Sequence, residues 1–107
     1  MTIHEIKKKA LELGVNYAYG SFNSNDNVNP PFLTGRIDND SNFSADNKVY
    51  YKNHNFILEL TTQKKDISLE QKIEEKIIHD IYYEKSESDN PDENIYTVMY
   101  SFEIEEG

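Results

Sequence analysis

The residues whose types and spacing come nearest to a chemical site are the acids and amides of "DNDSNF". Asp38, Asp40 and Asn42 stand where an EF-hand loop places its first three oxygen ligands. Such a loop also needs glycine at its sixth position, for the sharp turn, and a bidentate glutamate at its twelfth. Phe43 and Val49 occupy those positions, so the spacing does not make a calcium site. His4, His54 and His79 fall on different segments with no H-x-x-x-H pair, and each reads as a structural or surface residue. The chain has no cysteine, which removes disulfides, thiolate metal sites and cysteine nucleophiles together.

Phosphate chemistry has no foothold either. The four glycines stand singly at 14, 20, 35 and 107, so no glycine-rich loop can present a run of backbone N–H groups to a phosphate. No serine lies in a nucleophile elbow. Carboxylates abound, but none is set among apolar residues that would raise its pKa toward neutrality. The sequence reads as having no catalytic residue, no cofactor and no metal.

The neighbouring stretch "NFSADNKVYYKN" answers to a different need. Asp46-Asn47 suits a tight corner, and beyond it Val49 and Tyr51 alternate with Lys48 and Tyr50. The stretch reads as a β-hairpin corner that carries no reaction.

A length of 107 residues allows a single domain, 1–107, with one modest core. Eight tyrosines and five phenylalanines must supply much of the buried area, which favours a β-rich fold. No apolar run approaches the ~20 residues of a membrane span, and no signal-peptide core is evident, so the chain reads as cytosolic at synthesis with no membrane partner. The formal charge of −9 is unevenly placed. From residue 86 onward stand Glu87, Asp89, Asp92, Glu93, Glu103, Glu105 and Glu106, with no lysine or arginine. Gripping a DNA backbone depends on Lys and Arg displacing counterions, so this balance argues against holding nucleic acid, though not against lying beside it.

The elements follow from local patterns. "TIHEIKKKALELG" has a capping box at Thr2 and Glu5, an apolar stripe at Ile3, Ile6, Ala10 and Leu13, and a left-handed stop at Gly14. Lys7, Lys8 and Lys9 form its outer face and read as solvated. Val15, Tyr17 and Tyr19 alternate as a short strand. "FLTGRID" reads as a second strand in which Gly35 marks a bulge or a close backbone approach. "KVYYKN" and "FILELTTQ" add two strands, the latter with Phe56, Leu58 and Leu60 on one face. "SLEQKIEEKIIHDI" reads as a second helix with a capping box at Ser68 and Gln71 and a stripe of Leu69, Ile73, Ile77 and Ile81. "IYYEKS" and "IYTVMYSFEI" close the chain as strands joined by a mobile acidic loop, "ESDNPDEN". The expected fold is α+β, in the order α-β-β-β-β-α-β-β. It has an antiparallel sheet of five to six strands with both helices on one face.

Four segments, "NFSADNKVYYKN", "FILELTTQKKDISLEQKIEEKI", "IYYEKSES" and "IYTVMYSFEI", resemble a family of small proteins from prophages and long-tailed phages of low-GC bacteria. The pattern there is an "SNNF-ADN-VY" hairpin, an "I-L-T--KD--LE--IE" segment, a "Y-K-E" strand and a final "Y-V-Y-FEI" strand. The resemblance covers roughly residues 30 to 105. "ELTT" departs from it where an aromatic residue is more usual, and the 86–94 loop lacks the usual hydrophobic start.

The element order is similar to that of tail terminator (tail completion) proteins. The resemblance implies a virion structural protein at the head-proximal end of the tail, made in the bacterial host cytoplasm. It implies a homo-oligomer, a hexameric ring that caps the tail tube, stops its polymerisation and presents a surface to the head connector. The implied partners are other copies of the chain, the major tail tube protein and the head–tail connector proteins, with DNA passing nearby without specific binding. The ring or channel surface would fall on Arg36, Asp38, Asp40, Asp46, Lys48, Glu87, Asp89, Asp92 and Glu93. The loops at 21–31, 38–47 and 86–94 would serve as docking segments. Two other readings stand beside it: a head-completion or other head–tail joining protein, and a small acidic inhibitor that mimics DNA.

Overall fold

The computed structural model describes residues 1–22, 28–38 and 53–105. Its elements are α1 (Ile3–Glu12), β1 (Asn16–Tyr19), β2 (Phe32–Ile37), β3 (Asn53–Thr62), α2 (Ile67–Lys76), β4 (Glu84–Asn90) and β5 (Ile95–Glu105). The fold is α+β, as the sequence indicates, with a five-stranded sheet in the order β1-β2-β3-β5-β4. The third strand expected, at "KVYYKN", falls largely outside the described residues, and β3 begins at Asn53.

The sheet is mixed rather than wholly antiparallel. β2 pairs parallel with β1, from Asn16 opposite Phe32 to Tyr19 opposite Gly35. β2 thus starts level with the start of β1. Adjacency in sequence led to the antiparallel expectation, and a connection of this length removes that constraint. All other pairings are antiparallel.

Alternation builds the core. Leu33, Gly35 and Ile37 on β2 face Leu60, Leu58 and Phe56 on β3, which in turn face Val98, Tyr100 and Phe102 on β5. Every one of these strand residues therefore lies on one face of the sheet. Ile6 and Ala10 of α1, Ile73 of α2 and the following Ile77 and Ile78 are buried in the same cluster. The two helices thus cover a single face. On α1 the Thr2 N–H donates to Glu5 Oε1 at 2.8 Å while the Glu5 N–H donates to Thr2 Oγ1 at 3.2 Å, the expected capping box. Gly14 ends the helix with φ of 81°.

Gly35 has a more particular reason than a bulge. A Cβ there would overlap the tip of the Phe56 ring and lie 2.6 Å from the Tyr17 hydroxyl oxygen. The missing side chain is the space into which two aromatic residues pack, so the close approach is by side chains.

Two expectations are corrected. The cap of α2 is Asp66, not Ser68: its carboxylate accepts from the Leu69 N–H at 3.0 Å, two residues ahead of the expected start. Aspartate is as good a cap as serine, and it comes first in the chain. The helix also stops at Lys76, before its apolar stripe ends. The Ile78 N–H donates to the Ile73 carbonyl at 3.3 Å, one residue further back than in a regular turn, and Asp80 takes φ of 64°. Secondly, "ESDNPDEN" is not a mobile loop. β4 runs through Glu84–Asn90 in register with β5, and residues 91–94 make a tight turn closed by the Glu93 N–H to the Asn90 carbonyl at 3.1 Å. Its charged, unpatterned sequence is that of an edge strand exposed along its whole length.

Candidate functional site

The densest constellation of ionisable groups lies between α2 and the β4–β5 hairpin. Glu70 sits one turn into α2 and is only 3% exposed. Its two carboxylate oxygens meet two lysines, Lys65 Nζ at 3.0 Å and Lys85 Nζ at 2.9 Å. Lys65 also reaches Glu87 Oε1 at 2.7 Å, and Lys85 reaches Glu74 Oε2 at 2.8 Å. Two phenols complete the set: the Tyr100 hydroxyl donates to Glu74 Oε2 at 2.8 Å, and the Tyr96 hydroxyl donates to Glu87. Each lysine lies over a ring, Lys65 at 5.4 Å from the centre of Tyr96 and Lys85 at 5.6 Å from that of Tyr100.

Three segments place the charged groups, and β5 places the two tyrosines. Glu70 and Glu74 are four apart on α2 and so share one helix face. Lys85 and Glu87 are two apart on β4 and point to the helix side of the sheet, opposite Tyr100 and Val98. Lys65 belongs to the short link that carries β3 into the Asp66 cap.

The electrostatics hold each shifted group in its ordinary charge state. Hydrogen bonds to Glu87 and then Glu70 push the Lys65 ammonium up. Burial works against the charge on Lys85, but the bonds to Glu74 and Glu70 prevail and raise it. Burial likewise opposes ionisation of Glu74, yet bonds from Lys85 and Tyr100 leave its carboxyl lowered. Lys65 and then Tyr96 lower Glu87, and burial followed by the bond to Glu74 raises Tyr100 strongly. Each shift moves its group away from neutrality, whereas a general acid or base needs a pKa brought toward it. This cluster is a clamp that fixes α2 onto the hairpin, and it is not a proton-transfer device.

No periodicity or motif in the sequence marks this cluster. Its signal was present in the polar positions of the patterned segments: Lys65, Glu70 and Glu74, then Lys85 and Glu87, then Tyr96 and Tyr100. Three of the segments quoted for the family resemblance meet in this one clamp.

The residues expected on a ring or channel surface are scattered. Arg36 is exposed on β2, on the face that the helices leave open. Asp38 follows β2, where its N–H donates to the Asn55 carbonyl at 2.8 Å and its carboxylate accepts from the Asn55 side chain at 3.3 Å. Asp40, Asp46 and Lys48 lie outside the described residues. Glu87 is engaged by Lys65, so it is not a free channel carboxylate. Asp89 is exposed on β4 opposite Tyr96, and Asp92 and Glu93 occupy the hairpin turn.

A depression of about 580 Å³ opens beside Asn55, Tyr82, Glu84, Ser101 and Glu103. Its amide and hydroxyl are spent on each other, Asn55 Nδ2 donating to Ser101 Oγ at 3.1 Å. Among the described residues no group of three or more histidines and acids is placed to hold a metal ion, and no helix is long and apolar enough to cross a membrane. Compared with known proteins, the chain matches no family model, no curated protein and no solved structure.

Proposed function

We propose that this chain is a virion structural protein that works as a tail terminator, capping the tail tube as a homo-oligomeric ring and offering a surface to the head–tail connector. The observation that carries the reading is the pair of sheet edges that stand open among the described residues. β1 and β4 are the terminal strands of one sheet, lie at opposite ends and differ in sequence and charge. A subunit with two unlike ends suits the heterologous, head-to-tail contacts from which closed rings are made. The clamp adds what such a subunit requires, because it keeps the exposed β4 edge rigid against α2. The motif resemblance supplies the tail context and the hexamer.

The turn acids Asp92 and Glu93 and the C-terminal Glu103 and Glu105 are then the groups available to flank a DNA channel. Negative charge there keeps a passing duplex from adhering. The DNA-mimic reading draws on the same acids, but Lys65 and Lys85 interrupt them where a mimic needs an unbroken face.

The test is electron microscopy of particles from an induced prophage with this reading frame deleted. Overlong tubes beside DNA-filled, tailless heads are expected, and particles of normal length would overturn the proposal.

A further inference from the structure

The two edges differ in ways that fit each other. Among the described residues the large apolar side chains left exposed are Leu11, Tyr19, Ile67 and Tyr82. Leu11 and Tyr19 belong to α1 and β1, at one end of the sheet. Ile67 opens α2, whose Glu70 and Glu74 are clamped to β4, and Tyr82 lies two residues before β4, so these two mark the other end. Charge divides the same way. Lys7 and Lys8 are exposed on α1, which packs on β1, while β4 carries Glu84, Glu87 and Asp89 against a single lysine. Exposed sheet edges also present unpaired backbone N–H and C=O groups, a template for another strand.

Strand direction narrows the choice. β1 and β2 run one way, β3 the other, β5 with β1, and β4 against β1. If the next copy is placed beside β4 in the same orientation, its β1 runs antiparallel to β4. The register is also straight: Ala18 is level with Thr34, Glu59, Met99 and finally Ser86. Two β4 edges facing each other would instead oppose two sets of Glu84, Glu87 and Asp89, which like charge disfavours.

We infer that copies of this chain join head to tail, the outer edge of β4 pairing antiparallel with the outer edge of β1 on the next copy, so that one sheet continues from subunit to subunit. Lys7 and Lys8 of one copy face the helix side of the neighbour's β4 edge, where Asp89 lies on the same face as Lys85 and Glu87, and Leu11 and Tyr19 meet the Ile67–Tyr82 end. The inference rests on the ring reading above and names its contact.

The chain has no cysteine of its own, which makes thiol cross-linking clean. Ala18 and Ser86 both lie on the open face of the sheet, at opposite edges. The full-length double variant Ala18→Cys/Ser86→Cys, concentrated and treated with a short bismaleimide, is expected to give a ladder of multimers on a denaturing gel. Each single variant is expected to stay monomeric. Dimers from either single variant would set an edge against its own copy and overturn the head-to-tail contact. Absence of cross-linking from every sample at millimolar protein would overturn the edge contact itself, while tail length in the deletion strain judges the ring reading separately. Adding Lys7→Glu and Lys8→Glu to the double variant is expected to abolish the ladder, and mixing in Asp89→Lys chains with the same cysteines to restore cross-linked species. A ladder unaffected by these reversals would overturn the assigned charge pairing.

Discussion

Replacing Glu70 by glutamine tests whether the clamp holds the fold. The substitution keeps the shape and one acceptor oxygen but removes a charge that two ammonium groups approach at 2.9 and 3.0 Å. At an effective dielectric of about 20 each such pair is worth roughly 5 kcal/mol of Coulomb attraction. Removing the carboxylate from water costs several kcal/mol in the opposite direction. Stranding a fully buried partner costs about 3–5 kcal/mol. Here the lysine side chains are 39% and 28% exposed and keep Glu87 and Glu74, so the cost is smaller. The expected loss is about 2 kcal/mol, a fall of roughly 1.5 M in the urea midpoint at unchanged slope. Because Glu70 is buried, the loss should persist in about 0.5 M salt, where exposed pairs are screened. Glu75→Gln, an exposed neighbour on the same helix, is the control, with a change within about 0.5 kcal/mol. A Glu70→Gln loss no larger than the control, or one that disappears in salt, would refute the clamp.

Three further outcomes are expected. Gly35→Ala drives a methyl group into the Phe56 ring and toward the Tyr17 hydroxyl, destabilising by about 1–3 kcal/mol; an unchanged thermal midpoint would mean that the space is not occupied. Tyr17→Phe removes a buried hydroxyl that has no hydrogen-bond partner among the described residues and whose pKa burial raises to about 12, so stability is expected to hold or rise by up to about 1 kcal/mol. A clear loss in calorimetry would reveal a partner. Stability should also be flat between about pH 5 and 9 and fall on either side. On the acid side, the folded pKa of Glu74 lies below its unfolded value near 4.5, so its contribution is present above that value and is lost as pH falls through the folded one. On the basic side Lys85 and Tyr100 are raised, so theirs is complete below their unfolded values of 10.5 and 10.0 and fades as pH rises. Glu74→Gln should flatten the acid limb, and a variant that retained the full slope would remove Glu74 from the account.

What could be read in the sequence was governed by periodicity. α1 with its capping box, β3 and β5 came through because each buries one face and repeats its apolar residues at the spacing of its element. β4 came through only in part: the strand read at "IYYEKS" overlaps Glu84–Asn90 at its first three residues, because an edge strand with one neighbour and polar residues on both sides has no alternation to fix its bounds. The parallel β1–β2 pair was hidden for another reason, since strand direction depends on the path of the connection and not on the strands it joins. The clamp was missed because its seven members are spread over residues 65 to 100, and only folding brings them together. The surface residues implied by the family resemblance carried no such constraint, and those among the described residues are spread over the open face, the end of β2, the β4 edge and the hairpin turn.

The clamp also bears on the order in which the chain folds. β3 and β5 form the longest pairing of the sheet, yet Asn55 and Ser101 on them lie 46 residues apart and Thr62 and Tyr96 lie 34 apart. Closing such distances early is entropically unfavourable. The β4–β5 hairpin has only a short turn to close, and Lys85 reaches back to Glu74 over just 11 residues. Once α2 is pinned to that hairpin, the ends still to be joined are already close, and β3 can zip onto β5 with little further loss of freedom. Weakening the lysine–glutamate contacts should therefore slow folding more than it speeds unfolding, which gives these charged residues a part in the timing of folding as well as in its stability.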